Sequence, residues 1–101
     1  MALDFHKADN NEHLFGLEDH QYANLEAIFT AFKNWSGVVI DPYGDTSLTI
    51  ENQKTIVRII DTYIHKEDLN VDKQKTIDII EFSAMMKYFS NKGIVLKIVG
   101  D

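Results

Sequence analysis

The chain's only proline, Pro42, stands in SGVVIDPYGDTSLT, the stretch from Ser36 to Thr49, and no regular element runs through it unbroken. Whatever the chain folds into must be assembled from two segments hinged on this loop. Val38, Val39 and Ile40 are β-branched and apolar, which suits a short extended piece packed on a core, and Pro42 biases Asp41 away from helical geometry. Pro42, Tyr43, Gly44 and Asp45 then have the chemistry of a tight turn. Two roles are open to it. Asp41 and Asp45 cap the turn while Tyr43 lies back on the core, or Tyr43 stands at the tip between two carboxylates, the build of an interface anchor.

Ahead of the loop, Leu3 and Phe5 alternate with Asp4 and His6, and apolar residues resume at Leu14, Phe15 and Leu17, so the first seventeen residues read as a loose hairpin. Gly16 in that second run marks a bulge or a close approach by another backbone. Glu18 and Asp19 favour a helix start. Tyr22, Leu25, Ile28, Phe29 and Phe32 follow helical spacing as far as a stop at Gly37.

Beyond the loop, Thr49 is a helix N-cap, and Ile56, Ile59, Ile60, Tyr63 and Ile64 form the inner face of a helix reaching about Lys66. A third helix, from about Asp72 to Asn91, carries apolar residues on nearly two faces, which predicts a central position. Gly93 ends it, and Ile94 to Val99, with only Lys97 polar, reads as a strand covered on most of both sides. The predicted class is α+β, with three helices on one face of a small, mainly antiparallel sheet in the order β-β-α-(β)-α-α-β; strand order is left open, with pairing of the first and last strands one of the arrangements available. At 101 residues the chain, 1–101, is expected to form a single domain.

Charge is distributed unevenly. Up to Ile50, eight acids face only Lys7 and Lys33, whereas from Glu51 onward eight acids meet eight bases, so the whole net charge of -6 belongs to the first half. Such a surface repels nucleic acid and anionic lipid and speeds encounter with a basic partner. No nucleic-acid or membrane partner is therefore expected. The start MALDFHKADN lacks a basic segment followed by an apolar run, and the chain has no cysteine, which together point to the cytoplasm.

Little in the sequence suggests catalysis. No serine lies in a nucleophile elbow, no glycine-rich phosphate loop is present, and no cofactor is implied, so the chain is expected not to be an enzyme. His6, His13 and His20 are spaced seven apart, across what read as two strands and a helix start, a pattern that does not imply convergence on a metal. Asp41, Asp45, Ser47 and Thr49 fall on alternating positions of a calcium loop. Tyr43, Thr46 and Asn52 depart from it where a ligand, a glycine and a closing glutamate belong.

The run from His13 to Leu48, with HLFGL, the Tyr22, Leu25, Phe29, Phe32 helix and SGVVIDPYGDTSL, resembles the small acidic immunity proteins of bacterial polymorphic or contact-dependent toxin systems. That resemblance implies a protein that binds one cognate toxin domain, often a basic nuclease, and occludes its active site. The contact would fall on Asp41, Tyr43 and Asp45 together with the acidic patch of Glu18, Asp19 and Glu26. Two alternatives accompany it: an adaptor or regulatory subunit of a larger complex, marked by an exposed apolar patch that includes Trp35, and a weak calcium-binding module. Oligomeric state is left open by the sequence.

Overall fold

The computed structural model describes residues 3–41 and 43–100. Pro42, on which part of the expected turn rests, lies outside the described residues. The elements run β1 (Leu3–Lys7), β2 (His13–Leu17), α1 (Asp19–Ser36), β3 (Thr46–Leu48), α2 (Ile50–Lys66), α3 (Lys73–Asn91) and β4 (Leu96–Gly100). The class is α+β, with three helices against a four-stranded antiparallel sheet.

Sheet order is β2-β1-β4-β3. β1 therefore pairs with the last strand, Leu3 opposite Gly100 and Phe5 opposite Ile98, an arrangement the sequence leaves open. Alternation along each strand decides which face meets the helices. Leu3, Phe5, Leu17, Leu48, Leu96 and Ile98 are buried, while Asp4, His6, Ser47 and Lys97 stand on the opposite, open face. β4 is thus central in the sheet yet covered on one side only, and Val95 and Val99 keep part of their surface in water. The apolar run had suggested fuller cover.

Helix ends follow local chemistry. Glu18 and Gln21 close a capping box at the start of α1. Thr49 Oγ1 accepts from the Asn52 N–H, and Asn52 Oδ1 accepts from the Thr49 N–H, at the start of α2. α3 ends in a two-bond C-terminal motif, in which Gly93 at φ 69° donates to the Ser90 carbonyl and Ile94 donates to that of Phe89. Only glycine adopts that φ at no steric cost.

Rings from every layer meet in the core. Phe82 of α3 lies edge-on to Phe5, Phe15 and Phe29, with centroids 5.8, 6.5 and 5.5 Å away. α3 is central as expected, touching both other helices and reaching the sheet through this ring. Its second apolar face is a different matter: Ile77, Ile80 and Tyr88 are exposed, while Asp78 and Ser83 are buried. Asp78 is held by Asn24 of α1 at 2.7 Å and by Gln74 at 3.0 Å, so two amide groups replace the water it loses.

Gln53 is a second buried polar device. Fully buried, it donates from Nε2 to the carbonyls of Leu48 and Ile94, tying β3 to the segment that enters β4. Both partners are acceptors, which fixes the orientation of the amide and leaves Oε1 without a donor.

Candidate functional site

The segment from Val38 to Asp41 runs back along α1 after Gly37. Val38 is half-buried, Val39 exposed and Ile40 buried, so the segment is anchored without joining the sheet. The short strand of this region is Thr46–Leu48, which pairs with β4. Between them the chain turns at Tyr43 and Gly44. Asp41 Oδ1 accepts the Tyr43 N–H at 2.6 Å, and the Gly44 carbonyl accepts from the Gly100 N–H at 3.1 Å. The turn is therefore tied at its entrance by a side chain and at its exit by the sheet.

The turn combines a capping aspartate with an exposed tyrosine. Asp41 is partly buried and caps the turn. Tyr43 does not lie on the core: its exposure is 88 %, the largest among the exposed apolar and aromatic residues, and Asp45 beside it is exposed too. A backbone held by two hydrogen bonds thus carries an aromatic ring into solvent, two residues from a carboxylate.

Strand register puts the other acids at the same end of the molecule. Leu17, Leu3 and Gly100 are opposite one another across three strands, and Gly44 completes the row. Glu18 follows Leu17 and Asp45 follows Gly44, so these two carboxylates flank a row about 14 Å wide. Asp19 opens α1 next to Glu18. Glu26 lies two turns along α1, where it shares a shallow groove with Tyr22, Lys33, Ile40 and Asp41. All six residues expected at a contact surface therefore belong to one end and its adjoining groove, and Lys33 is the base within that groove.

Tyr22 is a member of this site that the sequence reading assigned to the core. Its hydroxyl donates to the Ile40 carbonyl at 3.4 Å. Burial first, then the negative charges of Glu26 and Asp41, holds that hydroxyl above the ordinary tyrosine value. The i, i+4 spacing of Tyr22 and Glu26 was a signal of their proximity; that Asp41 joins them was not visible in the sequence. A phenol whose folded value is raised contributes stability that is complete below pH of about 10 and lost as pH rises through the folded value. Tyr22→Phe should therefore reduce the alkaline loss of stability, which urea denaturation at neutral and at alkaline pH would measure. An alkaline loss as large in the variant as in the wild type would contradict this.

The calcium-loop pattern forms no cage. Ser47 is in a paired strand, and Thr49 and Asn52 are engaged in the capping box. Among the described residues no group of three or more histidine, aspartate or glutamate side chains is placed to hold a metal ion. Two of the evenly spaced histidines nevertheless meet, His6 and His13, with ring centroids 5.1 Å apart. Trp35, at 70 % exposure, lines a separate groove between α1 and α2 with Ala27, Ala31 and Ile59. Sixteen residues of helix place Trp35 about 24 Å along the axis from Asp19.

No protein-family model, curated protein or solved structure shows significant similarity to this chain. Its function must be argued from its own residues. Among those described, no helix is long and apolar enough to cross a membrane.

Proposed function

We propose that this chain is a non-enzymatic binding protein that neutralises a cognate bacterial toxin domain by covering its active site with the acidic end of the sheet. The observation that supports this best is the exposed Tyr43, held on a doubly tied turn in line with Asp45 and across the sheet end from Glu18. Aromatic anchors that lose little conformational freedom on binding are where interface energy concentrates. Carboxylates around such an anchor match a basic cleft, as in a nuclease that tracks phosphates. Glu18, Asp19, Glu26 and Asp45 stand in for the phosphate charges while the Tyr43 ring fills a pocket. Occlusion needs no chemistry from the inhibitor, and a toxin acting inside the cell must be met in the cytoplasm.

Affinity capture from the source cells tests this reading, with wild type beside Tyr43→Ala and Asp45→Lys. One dominant basic partner, released by salt, depleted in both variants and inhibited by the purified wild-type chain, is the expected result. A partner whose toxic activity survives saturation with the chain overturns it. The exposed Trp35 groove favours a second reading, an adaptor that docks an apolar segment of a larger complex. The two separate cleanly, because Trp35→Ala would then abolish capture while Asp45→Lys left it intact.

A further inference from the structure

We propose that His6 and His13 form a cross-strand site for a divalent transition-metal ion of the zinc and nickel class. The inference is independent of the toxin reading, because the site lies on the open face of the sheet and shares no residue with the acidic turn.

Pairing between β1 and β2 begins with Leu3 opposite Leu17 and Phe5 opposite Phe15, and then shifts, so that His6 faces His13 and Leu14 is the extra residue of a bulge. Without that extra residue His6 would face Leu14. Bulges commonly re-aim a side chain in this way. The two imidazoles stand 5.1 Å apart between ring centres with their planes at 82°.

Each ring has one nitrogen committed to an acceptor. His6 Nδ1 is 3.1 Å from the Asn11 carbonyl, which can only accept, so Nδ1 carries the proton and Nε2 keeps its lone pair. Asn11 adopts φ 62°, an uncommon conformation for a residue other than glycine, where it presents that carbonyl. His13 Nε2 is 3.0 Å from Asp4 Oδ1, so its proton points at the carboxylate and Nδ1 keeps its lone pair. Gly16 makes room for this contact, since a Cβ there would come within 3.0 Å of Asp4 Oδ1. One imidazole anchored by a backbone carbonyl and the other by a carboxylate is the outer-shell arrangement that fixes the tautomer of metal-ligating histidines.

The spacing fits as well. With a metal–nitrogen bond of about 2.0–2.1 Å, each ring centre lies about 3.2 Å from the ion, and a tetrahedral angle puts the two centres about 5.2 Å apart. Fixed charges nearby offset one another, because Lys97 stands opposite His6 and Asp4 beside His13. With two protein ligands and no third among the described residues, water completes the coordination, and imidazole nitrogen selects zinc, nickel or copper over calcium or magnesium.

Calorimetric titration of the full chain with zinc and then nickel, in a buffer that does not chelate, tests the site. One ion per chain is expected, with a Kd on the order of 10 μM, far weaker than a closed four-ligand site. His6→Gln or His13→Gln should each weaken binding by at least about tenfold, and Asp4→Ala by about tenfold although it removes neither ligand. His20→Gln combined with His65→Gln should change nothing. Nitrogen-15 spectra should place the metal-induced shifts on His6 Nε2 and His13 Nδ1. Since both rings lie on an exposed face, circular dichroism can confirm that the variants fold. No saturable binding by the wild type, or equal binding by a His6→Gln/His13→Gln double variant, overturns the proposal.

Discussion

Phe82→Ala is expected to cost about 3–5 kcal/mol of folding stability, the largest effect of any single truncation in this chain. The ring is fully buried and packs edge-on against Phe5 from β1, Phe15 from β2 and Phe29 from α1. Removing it leaves a void bounded by three aromatic rings. Two of these are already engaged with each other, since Phe5 and Phe15 stack at 4.3 Å, and Phe15 also stacks on Phe89 at 6.0 Å. Side chains fixed in this way cannot collapse into the space, so the cavity cost adds to the lost transfer energy. For a domain of this size each kcal/mol lowers the thermal midpoint by about 4–8 °C, and total stability is about 5–15 kcal/mol, so the variant should be close to unfolding. Urea denaturation at unchanged slope measures this directly. Ile80→Ala, on the same helix but with its side chain half in water, is the control and should cost about 1 kcal/mol or less. Equal losses at the two positions would mean that the Phe82 face of α3 is not central to the core.

Local patterns made most of the elements legible. The spacing of Leu25, Ile28, Phe29 and Phe32 marks α1 and its buried face, Thr49 marks the start of α2, and Leu3 with Phe5 marks β1. Each of these is decided within a few residues. β3 is different. Thr46–Leu48 is three residues long, and its partners Leu96 to Ile98 lie about fifty positions further along the chain, so nothing nearby announces the pairing. The second apolar face of α3 misled for a related reason. Periodicity shows that Ile77, Ile80 and Tyr88 are apolar, but only the packing of α1 and α2 decides which side of α3 has neighbours, and Asp78 takes a buried position because Asn24 and Gln74 reach it.

The candidate site shows the same division. Turn chemistry near Tyr43 was local and visible, as was the acid excess of the first half. That Glu18 and Asp45 share one end of the sheet follows from the order β2-β1-β4-β3, which no residue pattern encodes. Seven-residue spacing of His6 and His13 does not imply convergence; a one-residue bulge, set by where Leu14 falls, brings them together.

Asp45→Lys is expected to slow association with a basic toxin partner by about tenfold or more, with a flatter dependence on salt and little change in dissociation rate. The geometry makes Asp45 the better probe than Asp41. Asp45 is exposed, so its reversal changes the field at the acidic end and little else. Asp41 accepts the Tyr43 N–H and is partly buried, so lysine there removes the charge and the tie that holds the tip. Asp41→Asn separates the two roles, because its amide oxygen still accepts the bond while the charge is gone. It should reduce the association rate modestly and leave thermal stability in place, whereas Asp41→Ala should also lose about 0.5–1.5 kcal/mol. Surface plasmon resonance across a salt series distinguishes these outcomes. If Asp45→Lys and Asp41→Asn leave association untouched while Tyr43→Ala still binds, the turn serves only to join Ile40 to β3. Weight then passes to the Trp35 groove, whose apolar lining predicts binding that strengthens with salt instead of weakening.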